Sequence, residues 1–277
     1  MKLYKTSEGA VIEDDNGKQY KKAINNWDTY INRDDLYSFL ESEISGSEPL
    51  TDSAFEDSAL APLQSQEVWA AGVTYLRSRN ARMEESQETG GATFYDMVYD
   101  AERPELFFKA TAQRVVGNND QVRIRKDSTW NVPEPELTLL ITTSGKIVGY
   151  TIGNDMSSRS IEGENPLYLP QAKVYEKCAA LGPCIYVPKQ AIAPETVISI
   201  SIKRGGEVMY DDQVQISQMK RNHAELVEFL FRECEFPNGC FLMTGTCLVP
   251  PNEFTLNSGD EIAISIERIG TLKNSVE

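Results

Sequence analysis

The chain has 277 residues, 40% of them hydrophobic, which is enough to bury a large core as one domain or as a small plus a larger one. Its formal net charge of −15 repels phosphate groups, which argues against nucleic acids and anionic membranes as partners. No signal-like apolar stretch opens the sequence and no run of about 18 apolar residues occurs in it, so we expect a soluble cytoplasmic protein.

The first quarter of the sequence predicts a small α+β domain. Asp15-Asn16-Gly17 is typical of a hairpin turn between two short strands, and residues 34–41 predict a short helix. Residues 42–66 are rich in Ser, Glu and Asp and predict a polar linker. We therefore predict a small amino-terminal domain with its linker at 1–66 and a larger domain at 67–277.

The larger domain is predicted to be mostly β with some α. Apolar segments predict strands at 68–74, 106–109, 137–143, 146–154, 196–203, 208–210, 240–246 and 261–269. A helical stretch joins the first two strands, and beyond residue 100 helices are predicted only at 156–160 and after Asn222. Because strands and helices do not alternate regularly, we expect a mostly antiparallel, folded-over sheet.

The two strands in the middle of the chain form a predicted hairpin that gathers three carboxylates. A two-residue turn at Ser144-Gly145 gives a register in which Glu134 lies opposite Asp155. Glu136 then lies opposite Gly153 and on the same face as Glu134, because side-chain direction alternates along a strand. Carboxylates opposed at about 5 Å repel each other.

A cation between these carboxylates would turn the repulsion into attraction. Gly153 would leave room for it above the sheet, although Gly153 and Gly72 can also simply relieve crowding. Without imidazole or thiolate groups nearby, three carboxylates suit Mg²⁺ or Mn²⁺ better than zinc. The alternative interpretation is a solvated acidic strand end; against it stand the prolines at 133 and 135, which indicate a shaped strand entry.

The single histidine and the cysteines indicate other chemistry only weakly. His223 falls in the first turn of an amphipathic helix after a possible Asn222 cap, so we expect it to be structural rather than catalytic. The five cysteines form an odd set without a Cys-x-x-Cys pair, which predicts reduced and mostly buried thiols.

Four short motifs follow one another after residue 130. They are Glu134-x-Glu136, Gly153-Asn154-Asp155-Met156-Ser157-Ser158-Arg159, Ala172-Lys173-Val174-Tyr175-Glu176 and Leu181-Gly182-Pro183. In order, spacing and flanking sequence they resemble the fumarylacetoacetate hydrolase superfamily, and the resemblance extends from about Val68 to the carboxyl terminus. It implies a mixed β-sandwich roll and a homodimer or homotetramer.

The resemblance also implies roles for individual residues. The two glutamates and the aspartate of the superfamily hold Mg²⁺ or Mn²⁺, which corresponds here to Glu134, Glu136 and Asp155. The matching lysine, Lys173, is expected beside the substrate. Lys109 ends a strand similar to one of the superfamily and is expected at the substrate site.

One departure from the superfamily pattern points to a branch within it. Hydrolases and decarboxylases of the superfamily carry Tyr-x-x-His, whose histidine helps to activate water, whereas this chain has Ser78 at that place. The surrounding sequence, from Trp69 to Arg79, resembles the branch typified by 2-dehydro-3-deoxy-D-arabinonate dehydratase, whose members also carry a small amino-terminal domain. That likeness implies Glu105 as a further acidic group near the ion.

The substrate implied by this branch is a small 2-oxo acid that a divalent cation can chelate and polarise. Lys173 or Glu105 would be the base that removes the C3 proton, since a neighbouring cation disfavours a charged lysine. At least one of Arg77, Arg79 and Arg82 would clamp the substrate carboxylate, with Tyr75 and Ser78 in the wall of the site. The structural alternatives are an ion-pairing Lys173 and an ordinary solvated helix face for the arginines.

Three functions are therefore compared. The leading hypothesis is Mg²⁺-dependent dehydration of a 2-keto-3-deoxy pentonate to 2,5-dioxopentanoate. The second is a carbon-carbon hydrolase or decarboxylase of the same superfamily that uses another base. The third is a non-catalytic protein that binds an organic acid or a metal.

Overall fold

The computed structural model describes residues 1–51, 59–85 and 92–277. More of the described residues lie in strands than in helices, which confirms a mostly β protein with some α. The strands are β1 (Lys2–Thr6), β2 (Gly9–Glu13), β3 (Gln19–Lys22), β4 (Glu67–Gly72), β5 (Glu105–Ala110), β6 (Val115–Val116), β7 (Gln121–Val122), β8 (Asn131–Val132), β9 (Pro135–Ile141), β10 (Ile147–Asp155), β11 (Ser157–Ser158), β12 (Ala179–Tyr186), β13 (Val197–Arg204), β14 (Glu207–Gln215), β15 (Cys240–Met243), β16 (Glu261–Ile266) and β17 (Gly270–Val276). The helices are α1 (Trp27–Ile31), α2 (Leu36–Ile44), α3 (Leu76–Glu85), α4 (Ala92–Asp100), α5 (Arg159–Glu164), α6 (Leu169–Lys173) and α7 (His223–Phe231).

Two sheets organise the fold. The larger one has ten strands in the order β3-β2-β1-β12-β10-β9-β15-β4-β5, with β6 beside β12, and the smaller one has the order β14-β13-β16-β17-β7. One hydrophobic core combines residues of β9 and β10 with alternate residues of β13 and β16, such as Ile200 and Ile264. A second core includes Leu140 and Phe241 of the large sheet together with Trp27 and Leu40 of α1 and α2. The central strand β9 is therefore buried along its whole length.

The amino-terminal strands continue the large sheet. Strand β1 pairs antiparallel with β12, with Leu3 opposite Ile185, and β2 and β3 extend the sheet beyond β1. The hairpin predicted at Asp15-Asn16-Gly17 is present between β2 and β3. The division of the chain into domains 1–66 and 67–277 stays a prediction.

The turn between β9 and β10 differs from the predicted one. The two-residue turn would have paired Thr143 with Lys146, but the amide of Thr142 donates to the Lys146 carbonyl at 2.9 Å, which makes a three-residue turn. Gly145, with φ of 80°, provides the left-handed residue that such a turn requires. A bulge at Val148 then adds one residue to β10 and cancels the shift.

Because of this bulge, the predicted register holds at the carboxylates. Gly153 pairs with Glu136, and the amide of Asp155 donates to the Glu134 carbonyl at 2.9 Å. The space above Gly153 is not available to an ion, however, since a side chain there would meet Thr138 and Met243. Gly153 therefore relieves crowding, which was the alternative interpretation.

The helix predictions were partly wrong. The prediction of a helix at 156–160 fails because Ser157 and Ser158 pair with β8, and the helix α5 begins only at Arg159, capped by the Ser158 hydroxyl. Helix α6, which ends at Lys173, was missed, and α2 extends to Ile44, into the predicted linker. The helix after Asn222 is confirmed as α7, and the Asn222 side chain caps it.

Among the described residues, no helix is long and apolar enough to span a membrane.

Candidate metal centre and active site

Three buried carboxylates meet where β9 begins and β10 ends. Glu134, Glu136 and Asp155 are at most 4% exposed, and one oxygen of each lies within 4.8 Å of the others. Hairpin pairing brings them together, because the residues flank directly opposed positions of two long antiparallel strands. The predicted convergence is therefore present; we call these residues the acidic triad.

Lys173 contacts two members of the acidic triad. Its Nζ lies 2.7 Å from Oε2 of Glu134, 3.1 Å from Oδ2 of Asp155 and 2.6 Å from Oγ of Ser157. The side chain is 1% exposed and extends from the last residue of α6. The sequence predicted Lys173 at the site, but the contact with Ser157 was missed, because 156–160 was read as a helix.

Two further buried cations border the triad. Lys109 Nζ lies 2.5 Å from Oδ1 of Asp155 and donates to the carbonyls of Met156 and Lys173 at 2.9 and 2.5 Å. An ammonium has three protons, and three protein oxygens already lie within their reach. Arg159 Nη2 lies 3.3 Å from Oε1 of Glu134, as expected for a residue that supports the carboxylates.

The pKa values of Asp155 and Glu136 are shifted in opposite directions. Burial opposes ionisation of Asp155, but Lys109 and Lys173 outweigh it and lower the pKa of this carboxyl. Burial raises the pKa of Glu136 well above its usual range, and the charges of Asp155 and Glu134 add to the effect. Glu136 accepts a hydrogen bond of 2.6 Å from the Gly245 amide, which offsets only part of this cost.

The triad fits a hard divalent cation. All three donors are carboxylate oxygens, the ligand type that Mg²⁺ and Mn²⁺ prefer. Glu136 is a buried carboxylate whose ionisation is disfavoured by its neighbours, and one more cation beside it would reverse that. A cavity of about 20 Å³ borders the three side chains, which is room for one water-sized particle.

The cavity wall contains residues that the sequence had not indicated. Thr246 and Gly245 follow β15, and Phe107 comes from β5; all three line the cavity. Thr246 is 6% exposed and its hydroxyl accepts from the Leu248 amide at 3.2 Å. The Gly-Thr pair after an apolar strand was the available signal, since polar residues at strand ends often line sites.

Glu105 lies beside a residue of this cavity wall. It pairs with Gly72, which lines the cavity, and the Glu105 carboxylate packs directly on the Gly72 backbone. The side chain is half-buried and does not belong to the acidic triad. Its roles as a base and as a further acidic group near the ion stay predictions.

Gly72→Ala tests the position of Glu105 without touching its chemistry. An added Cβ would lie 2.0 Å from Oε2 of Glu105, so the flexible carboxylate must leave its present position. If Glu105 acts in the reaction, kcat should fall about tenfold or more, while the melting temperature changes by only a few degrees. Glu105→Gln should reproduce the loss; full activity of both variants would show that Glu105 is not part of the chemistry.

The other residues predicted to bind substrate lie differently around the cavity. Ser78 lines it, and its hydroxyl donates to the Tyr75 carbonyl at 2.8 Å. Tyr75 is 1% exposed and packs in the core between the sheets.

Arg77 and Arg79 contact other parts of the protein. Arg77 donates to the Val249 carbonyl at 3.1 Å and lies 3.8 Å from Asp212, and its side chain is 55% exposed. Arg79 pairs with Asp96 at 3.3 Å. Neither residue lines the described cavity, whose arginine is Arg159, and the side chain of Arg82 lies outside the described part of the structure. The carboxylate clamp stays a prediction. The sequence placed the arginines on one helix but could not show which way each one points.

A comparison with protein families agrees with these features. The family model described as fumarylacetoacetate (FAA) hydrolase, C-terminal, matches residues 68–277, which begins within β4 and includes every residue of the acidic triad. The chain belongs to the fumarylacetoacetate hydrolase family.

Two relatives of this fumarylacetoacetate hydrolase family member are both named dehydratases. A probable 2-keto-3-deoxyxylonate dehydratase of Haloferax volcanii is 50% identical over 86% of this chain and 81% of its own length. A 2-dehydro-3-deoxy-D-arabinonate dehydratase of Saccharolobus solfataricus is 42% identical over 78% of this chain and 73% of its own.

A solved structure that is also named a dehydratase can be superposed on the whole chain. It is a 2-keto-3-deoxy-D-arabinonate dehydratase complexed with magnesium and 2,5-dioxopentanoate, with a TM-score of 0.86 and 33% identity over 100% of this chain and 99% of the other. The mixed β fold expected of the fumarylacetoacetate hydrolase family is thus confirmed for this chain.

His223 lies apart from these features of the fumarylacetoacetate hydrolase family. It begins α7 and its ring is 6.3 Å from that of Tyr150, while the five cysteines are free and four of them buried, as predicted. Burial lowers the pKa of His223 to about 4, so the folded protein favours the neutral ring.

Protonation of His223 should make the protein less stable in mild acid. A histidine whose folded-state pKa is lowered contributes stability above its unfolded pKa near 6.5, and that stability is lost as the pH falls toward 4. Between about pH 7 and pH 4.5 the loss is about 2 kcal/mol. Urea unfolding of the wild type and His223→Gln at both pH values measures it; equal pH dependence in the two proteins would contradict the expectation.

Proposed function

We propose that this protein is a Mg²⁺-dependent hydro-lyase that converts a 2-keto-3-deoxy pentonate, 2-dehydro-3-deoxy-D-arabinonate, to 2,5-dioxopentanoate. The observation that carries the proposal is the contact of the Lys173 ammonium with two buried carboxylates of the acidic triad. The names of two relatives at 42% and 50% identity and the magnesium complex of a similar structure support it.

The acidic triad would hold the cation. Mg²⁺ bound by Glu134, Glu136 and Asp155 supplies a Lewis acid for the 2-oxo group of the substrate. Lys109 and Arg159 keep Asp155 and Glu134 in position through their buried contacts. We therefore assign Lys109 a positioning role instead of the predicted contact with substrate.

Lys173 is the proposed base. Once it has given its own proton to solvent, the neutral amino group removes a proton from C3, next to the 2-oxo group, and this proton leaves with the C4 hydroxyl as water. Tautomerisation moves the unsaturation outward until C5 is an aldehyde, which balances as the loss of one water from the substrate. The Thr246 hydroxyl and Arg159 lie in the cavity wall, where they can hydrogen-bond the substrate.

Turnover of synthetic 2-keto-3-deoxy pentonates of both C4 configurations, with and without EDTA, tests this function. We expect a semialdehyde product, detected by an NAD-linked aldehyde dehydrogenase, and loss of turnover in EDTA that added Mg²⁺ restores. Release of pyruvate or CO₂ would instead identify a carbon-carbon hydrolase or decarboxylase. If none of these pentonates is turned over at saturating Mg²⁺, the result would favour a non-catalytic protein that binds an organic acid or a metal.

A homodimer or homotetramer located in the cytoplasm completes the proposal. Large apolar side chains lie exposed on the isolated chain, among them Leu167 at 83% and Met97 at 65%. Exposed apolar side chains of this size are common at subunit contacts. Light scattering after gel filtration should give two or four times the chain mass of 31.0 kDa; a mass equal to one chain would contradict it.

A further inference from the structure

The Lys173 ammonium lies where two carboxylates of the acidic triad share a cation. Its Nζ is 2.7 Å from Glu134 and 3.1 Å from Asp155, so one positive charge bridges both groups. Among the described residues its three oxygen contacts are all side-chain atoms, the third being the Ser157 hydroxyl. The bridge can therefore be broken without breaking any backbone hydrogen bond of the amino group.

The neighbouring cations are held differently. Lys109 donates to two backbone carbonyls in addition to its contact with Asp155, which fixes it in the fold. Arg159 contacts Glu134 and lies 5.8 Å from the Trp130 ring. Lys109 and Arg159 each contact one member of the acidic triad, whereas Lys173 bridges two of them through side-chain contacts.

Two of the three carboxylates already have buried cations as partners. Glu134 contacts Lys173 and Arg159, and Asp155 contacts Lys109 and Lys173. A divalent ion added to this group would come close to three positive charges in a poorly solvated place, where like charges repel strongly. The Lys173 ammonium lies between two of the carboxylates that the ion would need as ligands.

A second position for the ammonium is close by. The face of Phe107 lies 5.6 Å from Lys173 Nζ and lines the cavity. An aromatic face stabilises an ammonium that has lost its carboxylate partners. From there the amino group would remain beside the acidic triad, where the proposed function places the 2-oxo group of the substrate.

We propose that Lys173 is an internal counter-ion of the acidic triad, which a divalent cation displaces toward the face of Phe107. The inference rests on the proposed function, since it assumes that the triad is a metal site. Because the cation must displace Lys173, the metal affinity of the substrate-free protein is lowered. It also leaves Lys173 in need of an anionic partner, so the carboxylate of a 2-oxo acid should tighten metal binding.

Metal titration of three variants tests the proposal. Lys173→Met removes the competing charge at nearly the same volume, and calorimetry should show Mn²⁺ binding at least about tenfold tighter than in the wild type. Ser157→Ala keeps the charge but removes one of its partners, which should tighten binding by a few-fold. Lys177→Met is the matched control, because Lys177 is an exposed lysine paired with Glu277. The Mn²⁺ affinity of this variant should stay within about twofold of the wild-type affinity.

The outcomes separate this inference from the proposed function. If neither the wild type nor Lys173→Met binds Mn²⁺, the metal site and the inference both fail. If both bind and the variant binds equally or more weakly, only the counter-ion role is overturned. Circular dichroism and a melting curve show whether Lys173→Met folds, and Mn²⁺ should raise its melting temperature by more than that of the wild type.

The coupling to an anionic 2-oxo acid gives a second readout that does not require turnover. Saturating pyruvate should tighten Mn²⁺ binding to the wild type by about fivefold or more. In Lys173→Met this gain should be clearly smaller, because the displaced positive charge is missing. An equal gain in both proteins would show that chelation alone couples the two ligands and would contradict the role of Lys173.

Discussion

Glu136→Gln should abolish turnover and at the same time raise the melting temperature of the metal-free protein. Glutamine has nearly the same shape and can still accept the hydrogen bond from the Gly245 amide. It removes, however, one of the three anionic ligands, and activity should fall by at least about 10²-fold. Direct assays at saturating Mg²⁺ and calorimetric melting in EDTA measure the two effects.

The gain in stability follows from the burial of Glu136. Burial and the charges of Asp155 and Glu134 raise its pKa well above the usual range, so its ionised form destabilises the fold in the absence of a metal. A neutral side chain avoids this cost. Glu253→Gln, at an exposed position, serves as the control and should change neither activity nor stability. A fully active Glu136→Gln enzyme would contradict the assignment of this residue as a ligand.

Lys173→Met should lower kcat by about 10²- to 10⁴-fold, the usual contribution of a positioned base. Lys173→Arg should not restore activity, because a guanidinium cannot give up its proton under these conditions. Proton abstraction can also be observed without dehydration, as exchange of the pyruvate methyl protons in deuterated water by NMR. The wild type should catalyse this exchange with Mg²⁺, and the variant should not.

A structural role of Lys173 would give a different pattern. If the side chain only balanced the charge of Glu134 and Asp155, then Lys173→Arg would keep most of the activity. A kcat for Lys173→Met within tenfold of the wild type would exclude it as the base. In that case Glu105, which packs on Gly72 of the cavity wall, would be the remaining candidate.

The acidic triad could be predicted from the sequence because it depends on local pairing. Two strands joined by a short turn place residues opposite each other by counting, and period-two alternation fixes the face. The count succeeded at Glu136 and Gly153 although the turn was predicted wrongly, since the bulge at Val148 cancels the error. A bulge of this kind leaves little trace in a single sequence.

Contacts between distant segments could not be predicted in this way. The approach of Lys109 and of Lys173 to Asp155 depends on how β5 and α6 pack against the hairpin, which residue spacing does not determine. The orientation of Arg77 depends on Asp212 and Val249, more than 130 residues away in the chain. Helix propensity failed at Ser157 because pairing with β8 outweighed it.

Crystals grown or soaked with Mn²⁺ and measured at an energy where manganese scatters anomalously give the most direct test of a metal centre in this protein. We predict one strong anomalous peak, about 2.1 Å from a carboxylate oxygen of each of Glu134, Glu136 and Asp155. Lys173 Nζ should have moved away from Glu134 toward the face of Phe107. A map without a peak between these three side chains, at a Mn²⁺ concentration that supports turnover, would contradict the account.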